Sequence, residues 1–246
     1  MSYSIKGKTV LVTGANRGIG EAFIHALIAR GASRIYAAAR NIDSLAQLVS
    51  QAPSVITAIQ LDVTKADDIA SVARNIPNLD ILINNAGIAT GSSFSNEDSL
   101  RIAANEMATN YFGPINLTHA LLPALRKSEA AAVINIVSIA GISNFPSLGP
   151  YSASKAAVHS FTQGLRAELA NTGIFVQGVY PGPVDTDMTR DFEMDKAAPA
   201  DVAAKVLNGL ENSVEDVFPD AFSQSMYDVF LQDPKQLEKQ FGAMLG

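Results

Sequence analysis

The sequence predicts an α/β fold, a doubly wound parallel sheet of about seven strands with helices on both faces, and three observations lead there. Six short apolar runs alternate with helical stretches, and a seventh short run lies near the carboxy terminus. The first run passes through a glycine-rich turn directly into a helix. Residues able to carry chemistry gather just after the runs, where strand ends meet ligands in open sheets of this kind.

Lys8 to Thr13 reads as a buried strand, and Gly14-Ala15-Asn16-Arg17-Gly18-Ile19-Gly20 then opens a helix running to about Arg30. Gly14 permits the tight turn, Gly18 lets backbone approach a ligand, and Gly20 lets helix and strand pack; the free N–H groups at the helix start suit phosphate. The Gly-x-x-x-Gly-x-Gly spacing departs from the general dinucleotide fingerprint in letter while keeping its mechanics. A plain glycine-rich connection is the alternative.

Gly31 ends the helix, and Arg34 to Ala39 makes a second strand that stops at Arg40. A carboxylate at this corner would accept hydrogen bonds from a ribose 2′-hydroxyl. Ala39 and Arg40 stand there instead. Arg17 and Arg40 together suit a 2′-phosphate, which favours NADP(H) as cofactor, the alternative being two ordinary surface arginines.

A helical stretch at about 42–51 precedes a strand from Val55 to Leu61, then Asp62-Val63 and a helix from about Ala66 to Asn75. Asp62 either accepts from an adenine amino group or serves with Thr64 as a turn and helix cap. Strand Leu79 to Ile83 leads to Asn84-Asn85-Ala86-Gly87, whose small residues leave room for a flat ring and whose amides can tie strands together. A long helical region, about 97–127, holds Asn110, Gly113 and Pro114. The proline predicts a local kink, and Asn110 in mid-helix needs a hydrogen bond to a buried water or a displaced carbonyl.

Ala131 to Val137 form the fifth strand, which ends in Ser138. A Ser-, Pro- and Gly-rich loop over 142–150 leads to a helix from Tyr151 to about Asn171. Strand Phe175 to Val179 then ends in Tyr180-Pro181-Gly182-Pro183-Val184-Asp185-Thr186-Asp187-Met188. Ala200 to Glu211 reads as a helix and Asp216 to Phe218 as the short seventh strand. A helical tail over 221–246 carries Phe230, Leu231, Leu237, Phe241 and Leu245, is interrupted at Asp233-Pro234, and packs either on its own domain or on a second subunit. A single domain, 1–246, is expected.

Tyr151 and Lys155 are four residues apart and share one helix face. Free tyrosine titrates near ~10 and lysine near ~10.4, so a neighbouring ammonium eases ionisation of the phenol. That makes Tyr151 a candidate proton donor or acceptor near neutral pH, against the alternative of a chance pair on a solvated face.

Hydrophobic residues make up 48% and charged residues 17%, as in a compact chain rather than a disordered one. A net charge of −6 and a pI near 5.0 disfavour nucleic acid and anionic membranes as partners. With no cysteine there is no disulfide, thiol nucleophile or Cys-ligated zinc. His25, His119 and His159 lack metal-ligand spacing, so packing or surface roles are expected and no metal. No long apolar run or signal segment is present, and a soluble, cytoplasmic protein is the expectation.

Taken together, Thr13-Gly14-Ala15-Asn16-Arg17-Gly18-Ile19-Gly20, Asn84-Asn85-Ala86-Gly87, Asn110, Ser138, Tyr151-x-x-x-Lys155 and Pro181-Gly182-x-Val184-x-Thr186 resemble the short-chain dehydrogenase/reductase family in order and spacing over about residues 6–190. The resemblance implies a Rossmann-type fold, a nicotinamide dinucleotide and a catalytic tetrad of Asn110, Ser138, Tyr151 and Lys155. By the same resemblance Ser138 holds the carbonyl oxygen, Tyr151 protonates it, Lys155 favours the phenolate and holds the nicotinamide ribose, and Asn110 fixes a water joining Lys155 to solvent. Gly14, Asn16, Arg17, Gly18, Ile19, Gly20 and Arg40 bind the cofactor. Asp62 and Val63 meet the adenine, Asn85, Ala86 and Gly87 line the cofactor floor, Pro181 and Gly182 also bind the cofactor, and Val184 and Thr186 orient the carboxamide.

An NADPH-preferring carbonyl reductase, reversible as an alcohol dehydrogenase, is therefore expected. Its substrates would be aldehydes or ketones with a bulky or aromatic group, met by the apolar loop positions Ile142, Phe145 and Leu148, for which a place in the core is an equal alternative. A homo-oligomer, dimer or tetramer, is also expected. Two departures from the family pattern stand out. Only ten residues separate Met188 from Pro199, which predicts a more open pocket than a longer lid would give, and a helical tail replaces the usual carboxy-terminal sequence. The rival reading is a non-catalytic NADP(H)-binding sensor or scaffold, which tends to lose the tyrosine or lysine that this chain keeps. A Ser-His hydrolase would need a Gly-x-Ser-x-Gly elbow that is absent.

Overall fold

The computed structural model describes residues 3–244. Strands β1 (Thr9–Thr13), β2 (Arg34–Ala39), β3 (Ile56–Gln60), β4 (Ile81–Asn84), β5 (Ala131–Ile136), β6 (Ile174–Val179) and β7 (Asp216–Val217) form one sheet in the order β3-β2-β1-β4-β5-β6-β7, with every pairing parallel. The chain direction across the sheet reverses between β1 and β4. Loops leaving those two strands diverge there and open a crevice at their carboxyl ends.

The sheet is buried on both faces, and strand residues alternate between two cores. Val10, Val12, Ile81, Ile83 and Ile134 pack on one side against Phe23, Ile24 and Leu27 of α1 (Gly18–Ala29), Leu48 of α2 (Ala46–Gln51) and Val202, Val206 and Leu210 of α7 (Pro199–Glu211). Leu11, Leu82, Val133 and Val176 pack on the other against α3 (Ala66–Asn75), α5 (Gly113–Leu125) and α6 (Gly149–Leu169) through Ile69, Val72, Leu117, Leu121 and Leu165. Buried amides cross this second side: Asn84 Nδ2 donates to Asn135 Oδ1 at 2.8 Å and to Thr118 Oγ1 at 3.0 Å, and Asn135 Nδ2 donates to Thr162 Oγ1 at 3.0 Å.

Three local differences from the sequence reading have physical causes. The helical region expected over about 97–127 is α4 (Ser99–Glu106), a π-helical stretch Met107–Phe112, and α5. Pro114 has no N–H to return to the Asn110 carbonyl, so the ladder widens just before it rather than kinking after it. α6 starts at Gly149, two residues ahead of Tyr151, and β7 is two residues long.

The tail divides into α8 (Ala221–Gln232) and α9 (Pro234–Ala243) at Asp233, whose carboxylate accepts from Lys235 N–H at 2.9 Å. It packs on its own chain. Leu237 and Phe241 are fully buried with Ile139, and the Phe241 ring meets Phe145 edge-on at 5.3 Å, while Leu231 is exposed and Leu245 lies outside the described residues. Among the described residues no helix is long and apolar enough to cross a membrane.

Candidate active site

A cavity of about 660 Å³ opens at the β1/β4 crevice, within the size range of cofactor and ligand sites. Its walls are the turn after β1, Ala39 and Arg40 after β2, Leu61 and Val63 after β3, residues 85–91 after β4, residues 136–140 after β5, Tyr151 and Lys155, and the segment after β6.

The glycine-rich turn is held from β4. Asn85 Nδ2 donates to the Thr13 and Gly14 carbonyls at 2.8 and 3.2 Å, and Thr13 Oγ1 accepts from Asn85 and Ala86 N–H, each at 2.9 Å. A Cβ on Gly20 would stand 2.0 Å from the Gly14 carbonyl oxygen, so helix and turn touch backbone to backbone. Gly18, with φ +57, faces the Thr186 methyl at 2.9 Å from where its Cβ would be. Its close approach is therefore to the opposite wall of the cleft.

The four chemistry-bearing residues converge from three elements. Lys155 is buried on α6, its Nζ donates to the Ile136 carbonyl at 2.7 Å, and it lies 5.7 Å from the Tyr151 ring centroid. Ser138 caps the short turn after β5, accepting from Ala140 N–H at 3.1 Å and donating to Pro181 O at 3.3 Å, and it lines the cavity together with Tyr151. Asn110 sits in the π-helical stretch and grips the segment after β4. Its Oδ1 accepts from Ile88 N–H at 2.8 Å, and its Nδ2 donates to Ile88 O and Ser154 Oγ, both at 2.9 Å. Its partners are thus a neighbouring loop and Ser154 of α6, not a carbonyl of its own helix.

One expectation is corrected. In the protein alone Tyr151 is not poised near neutral pH: burial pushes its phenol up to about 12, with the Ser138 hydroxyl pulling it down and the Glu106 carboxylate raising it further. Burial also brings Lys155 down to about 8. Both shifts disfavour the charged form, as a low-dielectric wall dictates.

The remaining predicted residues divide. Asn16, Arg17, Ile19, Arg40, Val63, Ala86, Gly87, Pro181, Gly182 and Val184 line the cavity. Asp62 does not, because its Oδ1 accepts from Thr64 N–H and Oγ1 at 3.0 and 2.7 Å and closes the turn into α3. Burial works against that carboxyl, but the Thr64 donors, Lys65 and Arg40 hold it below its ordinary range. Arg17 pairs with Asp187 at 3.0 Å, so the two predicted arginines share a cleft while one is already engaged. Phe145 and Leu148 line the cavity, whereas Ile142 packs into the core.

Three residues that the sequence reading passed over shape the site. Asp220 caps α8 and accepts from Gly182 N–H at 2.8 Å, tying the segment after β6 to the tail; its Asp-x-x-Ser spacing to Ser223 is the signal. Phe222 of the tail lines the cavity beside Met188, Phe192 and Met194. The tail thus supplies wall where the short 189–198 segment predicted an open side. Glu106, one helical turn before Asn110, is 1% exposed and accepts from Thr90 N–H at 2.7 Å.

Comparison with known proteins gives one answer. The short chain dehydrogenase family matches residues 8–197. An uncharacterized oxidoreductase of Staphylococcus aureus is 36% identical over 216 residues, 82% of this chain and 90% of the relative. A short chain dehydrogenase of Burkholderia cenocepacia, solved in complex with NADP, superposes with a TM-score of 0.91 at 34% identity, covering 97% of this chain and 99% of that one. The NADPH-bound carbonyl reductase from chicken fatty liver gives 0.78 at 31% identity, covering 84% and 92%.

Proposed function

The chain belongs to the short chain dehydrogenase family of oxidoreductases, and from that premise we propose that it reduces aldehydes or ketones with NADPH, reversibly, with Tyr151 as the proton donor. The observation that carries the reading is the convergence of Ser138, Tyr151 and Lys155 in one cavity wall, with Lys155 Nζ 5.7 Å from the phenol ring centroid.

The residues fit the cofactor. A side chain at Gly87 would meet Asn110 Oδ1 at 3.3 Å and Lys155 Nζ at 3.6 Å, so this glycine keeps a cradle clear in front of two polar groups. The amino end of α1 offers backbone N–H groups to phosphate. Arg17 and Arg40 line the same cleft, and Ala39 puts no carboxylate at the end of β2 to repel a 2′-phosphate. Two of the similar structures hold NADP or NADPH.

When bound, the nicotinamide supplies the hydride. Ser138 turns its hydroxyl from Pro181 O to the substrate oxygen and fixes the carbonyl. Tyr151 donates its proton as negative charge develops there. Lys155 carries its ammonium through neutral pH, stabilises the phenolate left behind, and reaches the nicotinamide ribose. Asn110 holds the Ile88 backbone and so the floor at Gly87. Phe145, Leu148, Phe192, Met194 and Phe222 give the cavity an apolar wall that suits a bulky or aromatic substituent. NADPH oxidation measured across a panel of aliphatic and aromatic aldehydes and ketones tests this reading; turnover is expected with the aromatic members, and none with any member would overturn it.

A further inference from the structure

Glu106 is a buried carboxylate that hydride transfer, as derived above, does not use. One oxygen accepts from Thr90 N–H at 2.7 Å, and the other has no hydrogen-bond partner. A carboxylate kept this way costs stability that an apolar side chain would not, so its presence calls for a compensating task. The segment it touches, residues 88–91, leaves strand pairing behind at Asn84, lines the cavity, and reaches Gly91 at φ +68. Asn110 holds both backbone groups of Ile88, and Glu106 holds the Thr90 N–H two residues on.

We propose that Glu106 is a positioning residue for hydride transfer, fixing Thr90 and with it the 88–91 wall of the cavity from behind. The proposal rests on the reductase reading above. Its charge has a second effect. A negative charge on Glu106 opposes ionisation of the Tyr151 phenol on α6. The other charged group against that phenol is Lys155, from α6 itself; Ser138, after β5, is uncharged, and Asp98 and Arg101 on the α4 side are exposed and pair with one another at 3.3 Å.

Glu106→Ala and Glu106→Gln test this in two ways. Hydrogen exchange of the 88–91 peptide needs no turnover: it is expected to accelerate in Glu106→Ala and to return toward wild type in Glu106→Gln, whose amide oxygen still accepts from Thr90. In NADPH-linked assays KM for the carbonyl substrate should rise roughly tenfold in Glu106→Ala, with a smaller loss in kcat, and recover in Glu106→Gln. In both variants the basic limb of the reduction profile should move to lower pH. Unchanged exchange in Glu106→Ala, or a lower Tm with KM and pH profile both unmoved, overturns the proposal. A wild-type enzyme without turnover defeats the reductase reading instead, and the exchange comparison then decides the role of Glu106.

Discussion

Arg17, on the turn after β1, and Asp187, beyond β6, form an ion pair at 3.0 Å that joins the two sides of the cleft mouth. Hydrogen bonds from Arg17 and Arg190 hold the Asp187 carboxyl below its ordinary range. The guanidinium proposed for a 2′-phosphate is therefore already occupied by an exposed carboxylate, a weak competitor in water.

Asp187→Asn should free Arg17 and tighten NADPH binding by less than about fivefold, with NADH binding unchanged. Arg17→Ala and Arg40→Ala should each lower the NADPH-to-NADH efficiency ratio by roughly tenfold. Fluorescence titration measures the binding effect and steady-state kinetics with each cofactor the efficiency ratio, and equal efficiency with NADH and NADPH in the wild type would contradict a 2′-phosphate role for the two arginines.

Gly20→Ala should be poorly tolerated. The new methyl would stand 2.0 Å from the Gly14 carbonyl oxygen and 2.7 Å from Asn85 Nδ2, and neither can retreat without breaking the tie between β1 and β4. A loss of roughly 2–4 kcal/mol is expected in urea unfolding, along with weakened cofactor binding. A variant as stable as wild type would show that the turn relaxes freely.

Much of this arrangement was legible in the sequence because it depends on local chain geometry. The unbroken apolar run Val10, Leu11 and Val12 marks a buried strand, and the turn glycines and the Tyr151–Lys155 spacing act within a few residues of themselves. The position of Ser138 followed from the end of an apolar run. What escaped depends on partners distant in the chain. Arg17 meets Asp187 across 170 residues, and Gly182 meets Asp220 across 38. Asp62 looked equally suited to adenine and to a turn until Thr64 was seen to take its oxygen. The raised phenol of Tyr151 could not be read from Lys155 alone, because burial outweighs the neighbour and only the packed wall sets burial.

Lys155 should leave a signature in stability against pH. Its folded pKa, about 8, lies below its ordinary value of 10.5, so between those values the unfolded chain keeps a proton that the folded chain has released. Stability from this group therefore rises with pH across that window, by at most about 3 kcal/mol, and below pH 8 the full cost of the buried ammonium is present. Lys155→Met removes the rise. The raised phenols of Tyr3, Tyr151 and Tyr180 act in the opposite sense at higher pH in both proteins. Chemical denaturation from pH 7 to 10.5 should show the wild type gaining on the variant, and parallel curves would contradict burial as the cause.

The proton donor is the centre of the account. Tyr151→Phe keeps the ring over Lys155 and removes only the hydroxyl. NADPH consumption with the best carbonyl substrate should fall by roughly 10²–10⁴-fold while NADPH binding stays near wild type. Undiminished turnover in Tyr151→Phe, under conditions where the wild type is active, would contradict the mechanism outright.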